Sequence, residues 1–87
     1  MEIAFTPKAL SQLDYWKKTG NETILQRIRA LLESISQSPF SGIGKPEPLK
    51  HQLSGFWSRR INDEHRLVYK IEKGKIVIVQ CRFHYSK

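Results

Sequence analysis

The chain has 87 residues, 39% of them hydrophobic and 10% aromatic, which is enough for one modest core and leaves no room for a second domain. Lys and Arg number 15 against 8 Asp and Glu, a formal charge of +7 that points to polyanions: nucleic acid, the ribosome or an acidic protein. The single cysteine, Cys81, excludes an internal disulfide and a cysteine-rich zinc site, and no apolar run approaches the roughly 20 residues of a membrane span.

The first segment, EIAF, is short, apolar and compatible with a strand, and MEIAFTPK lacks the basic and apolar regions of a signal peptide, so a cytoplasmic location is expected. TPKAL then places Thr6 as an N-cap and Pro7 at the first helical position, where its missing N–H costs nothing. Leu10, Leu13 and Trp16 share one face of this helix, and Gly20-Asn21 supplies its stop and the next cap. In the second helix Ile24, Ile28, Leu31, Leu32 and Ile35 recur at core-facing spacing. Pro39 disfavours helical geometry at Ser38, so this helix ends before SPFSG and the pair forms an antiparallel hairpin.

Glycine and proline dominate residues 40–52, which read as a long ordered loop of the kind that carries function. Beyond it FWSRRI, HRLVYKI and KIVIVQCRFHY are rich in β-branched and aromatic residues and are separated by NDE and EKG, which read as hairpin turns. The expected class is α+β: an N-terminal strand and a two-helix hairpin packed on one face of an antiparallel sheet, the other face left open.

No glycine-rich phosphate loop, metal-ligand spacing or serine-centred triad appears, so neither a metal nor another cofactor is expected. What remains is Glu47 between Pro46 and Pro48, a basic set at Arg59, Arg60, His65, Arg66 and Arg82, and FHY at residues 83–85. Read plainly, GKPEPLKH is a solvated connector. Read as chemistry, it holds a carboxylate rigidly beside cations, as metal-independent RNA cleavage requires. That reaction needs a base for the ribose 2′-OH, an acid for the departing 5′-oxygen, and cations for the charge that builds on phosphate oxygens. Phe83 or Tyr85 would stack on a splayed base. Strand parity raises one difficulty. With Lys73-Gly74 as the turn, Arg66 shares a face with Cys81, Phe83 and Tyr85, and His84 falls on the opposite face unless the strand ends or bulges before it.

The run PFSGIGKPEPLKHQLSGFWSRRINDEHRLVYKI, followed by CRFHY, closely resembles the YoeB branch of the RelE-like bacterial toxins, and the order of elements extends the resemblance over essentially the whole chain. The resemblance implies a small RelE-like, microbial-ribonuclease-like fold and a ribosome-dependent mRNA interferase. Its expected partners are mRNA on the 70S ribosome, a YefM-type antitoxin and a second copy of the chain. It places the catalytic glutamate on Glu47 in KPEPLKH, the phosphate-binding arginine on Arg66 in EHRLVY, and the terminal histidine and tyrosine on His84 and Tyr85. Lys50, His51 and Arg59 follow as RNA or phosphate contacts, and Glu64 as the orienting partner of an arginine. The departure is Ser86-Lys87, since chains of this branch commonly stop at or near the tyrosine.

Two other classes compete. A gyrase-inhibiting toxin on the same fold would lack this Glu, Arg and His-Tyr set. A non-catalytic RNA- or ribosome-binding module would keep the charge without cutting RNA.

Overall fold

A computed structural model of the protein describes residues 1–84. Strand β1 (Glu2–Phe5) leads into helices α1 (Pro7–Lys18) and α2 (Glu22–Gln37), then strand β2 (Glu47–Pro48), a 3-10 turn at His51–Leu53, and strands β3 (Trp57–Arg60), β4 (Arg66–Glu72) and β5 (Lys75–Gln80). The helix signals act as their chemistry predicts. The Thr6 hydroxyl accepts from the Ala9 amide with Pro7 opening α1, and the Asn21 side chain accepts from the Ile24 amide to open α2. Extended geometry at Ser38, the residue before Pro39, follows the last residue of α2.

The five strands lie in the order β1-β5-β4-β3-β2. The hairpins β3–β4 and β4–β5 are antiparallel as expected, and the second closes through Lys73 and Gly74. Both turn residues have positive φ (51° and 75°), the twist that a two-residue hairpin favours. Two features go beyond the sequence reading. β1 runs parallel to β5, which makes the sheet mixed, and within the long loop Glu47 and Pro48 pair with Ser58 and Trp57 as a two-residue edge strand.

Ile24, Ile28, Leu31 and Ile35 of α2 are buried and meet Leu67 and Tyr69 of β4 and Ile76 and Ile78 of β5 in one cluster, which Ala9 and Trp16 of α1 complete. Fully burying an aliphatic side chain of this size stabilises by about 1.5–3 kcal/mol, so this layer carries most of the fold. Leu10, expected on the core face of α1, is instead exposed, and the small Ala9 takes the buried position where helix and sheet approach closely.

Cys81 fills a fully buried site at the end of β5, its Sγ–H directed at the Ala9 carbonyl at 3.5 Å, and burial pushes its thiol pKa up to about 12 from an ordinary 9.0. A raised acid pKa means that folding retains the proton. Stability is therefore full below pH 9.0 and declines as pH rises from there through about 12. Burial also raises the Tyr69 phenol, against a smaller opposing pull from its hydrogen bond to Arg59, so Tyr69 steepens the decline above pH 10.0. The urea midpoint should fall measurably between about pH 8 and about pH 10, and Cys81→Ala should flatten that fall while lowering the midpoint at pH 8.

Candidate active site

Alternation along β3 decides which arginine reaches which face. Trp57 and Arg59 lie opposite Tyr69 and Leu67 on the helix-covered face, whereas Ser58 and Arg60 lie opposite Val68 and Arg66 on the other. β2 pairs Glu47 with Ser58, so the carboxylate joins that second face. There Lys45, Glu47, Ser58, Arg60, Arg66 and His84 line an open cleft of about 320 Å³.

Arg59, expected to contact phosphate, does not reach this cleft. Its side chain is fully buried, and all five N–H donors are used. Nε donates to the Tyr69 hydroxyl (3.1 Å), Nη1 to Ser34 Oγ (2.8 Å) and the Ile43 carbonyl (3.0 Å), and Nη2 to the carbonyls of Ser38 and Ser41 (both 2.7 Å). Among the described residues no carboxylate pairs with it, so carbonyl dipoles compensate the charge. The guanidinium thus holds residues 38–43 against the sheet. The Tyr69 hydroxyl in turn donates to the Pro39 carbonyl at 2.7 Å. Gly44 continues the arrangement: its φ is +84°, its carbonyl accepts the Arg60 amide at 2.7 Å, and an added Cβ would sit 2.7 Å from Leu31 Cδ2. Only glycine fits there, and the next residues are Lys45, Pro46 and Glu47.

Arg66 begins β4, and its Nη1 reaches back to the carbonyls of Asn62 (2.7 Å) and Asp63 (3.2 Å) in the β3–β4 turn. Asn62 organises that turn by accepting the amides of Glu64 and His65 on its own Oδ1. Arg60 is half-buried and pairs with exposed Asp63 at 2.5 Å.

The parity difficulty at His84 resolves in two steps. Register slips between Val68 and Tyr69, whose partners are Gln80 and Ile78, so Val79 is an extra residue in β5. The ladder then ends at Gln80, and Phe83 takes a positive φ of 68° that turns the chain before His84. His84 thereby lines the same cleft as Arg66.

Of the residues singled out in the sequence, Glu47, Arg66 and His84 come together. Lys50 and His51 are exposed at the 3-10 turn and lie outside the cleft lining. Glu64 is exposed in the β3–β4 turn; among the described residues it orients no arginine, and turn carbonyls do so instead. Tyr85, Ser86 and Lys87 lie outside the described residues. Arg82 stacks on Tyr15 of α1, its Cζ 3.4 Å from the ring centroid, and not in the cleft. Lys45 and Ser58 are cleft residues that the sequence reading did not select, and Arg60 stood there in the basic set without a role of its own. For Arg60 a signal was present: Trp57 and Ile61 are both apolar and four apart, which assigns Arg59 to the core side and Arg60 to the other.

Residues 5–85 match the model of the YoeB-like toxin of bacterial type II toxin-antitoxin system family. The chain belongs to that family. It is 54% identical to Toxin YoeB of Synechocystis over the full length of both chains. A solved YoeB/ParE toxin from Agrobacterium tumefaciens superposes with a TM-score of 0.94 at 38% identity, covering 98% of this chain and all of the other. The Staphylococcus aureus YoeB, solved as a dimer and in a YoeB-YefM complex, superposes at 0.89 with 42% and 43% identity and 98% coverage of both chains.

For this YoeB-like toxin the Arg59 assignment is open to measurement. Arg59→Met should cost about 3 kcal/mol in urea denaturation, because it takes the donor away from the carbonyls of Ser38, Ser41 and Ile43. Arg60→Gln, which removes only a surface ion pair, should leave the midpoint nearly unchanged.

Proposed function

We propose that this toxin is an endoribonuclease that cuts mRNA in the A site of the translating ribosome and so stops translation. The observation that supports it is the convergence of one carboxylate, one histidine and three cationic side chains on a single open cleft. In this reading Glu47 takes the proton of a ribose 2′-OH, and the 2′-oxygen attacks the adjacent phosphorus as the bond to the 5′-oxygen breaks. His84 gives its proton to that 5′-oxygen. Arg66, with Lys45 and Arg60 beside it, stabilises the charge on the non-bridging oxygens, and in this reading the reaction uses no metal ion. The upstream fragment then ends in a 2′,3′-cyclic phosphate and the downstream fragment begins with a 5′-hydroxyl. Tyr85 positions the base or ribose by stacking, and Lys50 and His51 extend the cationic surface along the RNA backbone.

Pro46 and Pro48 restrict the backbone on both sides of Glu47, so little entropy is left to lose when the carboxylate is aligned. An open cleft has little means of bending RNA by itself, and the ribosome supplies the substrate geometry. No helix among the described residues is long and apolar enough to cross a membrane, and the protein acts in the cytoplasm, where messages are translated. By analogy with the Staphylococcus aureus relative, the partners are a YefM-type antitoxin and a second copy of the chain. The antitoxin lays an acidic segment, disordered until bound, over the basic cleft.

Single-turnover cleavage on programmed ribosomes should fall about 10²–10⁴-fold for Glu47→Ala and His84→Ala, and comparably for Arg66→Ala, with ribosome binding retained. Wild-type rates for both Glu47→Ala and His84→Ala would remove the base and acid assignment, and RNA binding without cleavage would return the protein to the class of binding modules. Naked message should be cut far more slowly than the same message on ribosomes. Light scattering should give twice the monomer mass for the free toxin, and an acidic protein encoded beside it should co-purify and abolish cleavage.

A further inference from the structure

Nothing in the sequence separates His65 from the other basic residues of the strands, and it does not line the cleft. Its ring is buried and packs edge-on against Trp16 of α1, with centroids 4.8 Å apart. Its Nδ1 accepts the Phe83 amide at 2.7 Å. That bond engages the Nδ1 lone pair, so the neutral imidazole carries its proton on Nε2 in this arrangement.

The neighbouring contacts give this bond its meaning. β5 stops pairing at Gln80, so the segment from Cys81 to His84 has no regular ladder to fix it. Side chains of α1 hold its start: Trp16 Nε1 donates to the Cys81 carbonyl at 2.9 Å, and Gln12 Oε1 accepts the Cys81 amide at 2.8 Å. Its far end is held at Phe83, whose amide goes to the His65 ring and whose carbonyl accepts the Arg66 amide at 3.0 Å. Two consecutive residues therefore grip both polar groups of Phe83. Phe83 also sits at a φ of +68°, a left-handed conformation that is unfavourable for a non-glycine residue and persists only where surrounding contacts impose it.

We infer that His65 is a positioning residue for the cleavage reaction: by accepting the Phe83 amide it holds the left-handed turn that directs His84 into the cleft beside Arg66. This rests on the endoribonuclease reading of the cleft. His65 touches no substrate; it fixes the tail while Arg66, its neighbour in sequence, faces the phosphate. One dipeptide thus sets both the anion site and the bearing of the acid.

Two substitutions separate this role from simple packing. His65→Phe keeps an aromatic ring against Trp16 but removes the acceptor, while His65→Asn removes the ring and keeps an acceptor in the place of Nδ1. A packing role predicts that Phe is benign and Asn harmful; the positioning role predicts the reverse. Under single-turnover conditions at saturating toxin, His65→Phe should cleave ribosome-bound message about 10–100-fold more slowly, with ribosome affinity unchanged. The Phe83 amide, followed by NMR hydrogen exchange, should lose protection. His65→Asn should stay within a few-fold of wild type on both measures, with only its melting temperature lowered. The inference is overturned if His65→Phe cleaves at the wild-type rate with Phe83 still protected, or if His65→Asn falls as far as His65→Phe. Should the wild-type protein fail to cut ribosome-bound message, the endoribonuclease reading falls instead, and Phe83 exchange in the two variants still decides whether His65 holds the tail.

Discussion

The saturated guanidinium of Arg59 is the contact on which the active face depends. A permanent charge in a small core is ordinarily costly, and here every N–H of the group finds an acceptor, four of them in residues 34–43. Three of the five bonds that make the charge tolerable, those to the carbonyls of Ser38, Ser41 and Ile43, draw an irregular, glycine-rich segment onto the sheet. Without them the segment between α2 and β2 has few apolar anchors: Ile43 is exposed, and Phe40, also exposed, keeps a ring contact with Trp57. Arg59 therefore acts from the helix side of β3 on a carboxylate displayed on the opposite side.

The two halves of the cleft are built by different means. Glu47 and Lys45 are supplied by a loop fixed through one buried cation, whereas His84 is supplied by a chain end fixed through α1 and the start of β4. Neither half presents its proton-transfer candidate from the middle of a long strand. Glu47 belongs to a strand of two residues, and His84 follows a strand that has already ended. The longer strands contribute Ser58, Arg60 and Arg66, and the loop and the segment after β5 contribute the groups assigned to proton transfer.

Much of this was legible in the residues, and the boundary is physical. Local signals such as the Thr6-Pro7 and Asn21 caps, the α2 stripe and the Lys73-Gly74 turn depend on neighbours a few positions away, and each forms as its chemistry predicts. The convergence of Glu47, Arg66 and His84 was reached through the family resemblance, not from spacing. What escaped depends on register. Arg59 and Arg60 are adjacent and chemically alike, and only the phase of β3 against β4 sends one inward and one to the cleft. Lys45 and Ser58 enter the site because β2 pairs at all, and a two-residue strand that itself contains Pro48 carries no periodic signal. His65 gave no warning because its partner is a backbone amide eighteen residues away, in a segment that sequence alone reads as continuous strand.

The prolines around Glu47 have a second effect, on the rim of the sheet. β2 is the outermost strand at the cleft end, and Pro46 and Pro48 carry no N–H, so this rim lacks the row of donors that an incoming strand would pair with. Strand addition, a common way for one chain to dock on another, is blocked at the edge nearest Glu47, while β1 at the far edge presents four residues free of proline. An antitoxin that acts on the cleft as proposed would therefore cross its open face instead of lengthening the sheet beside it.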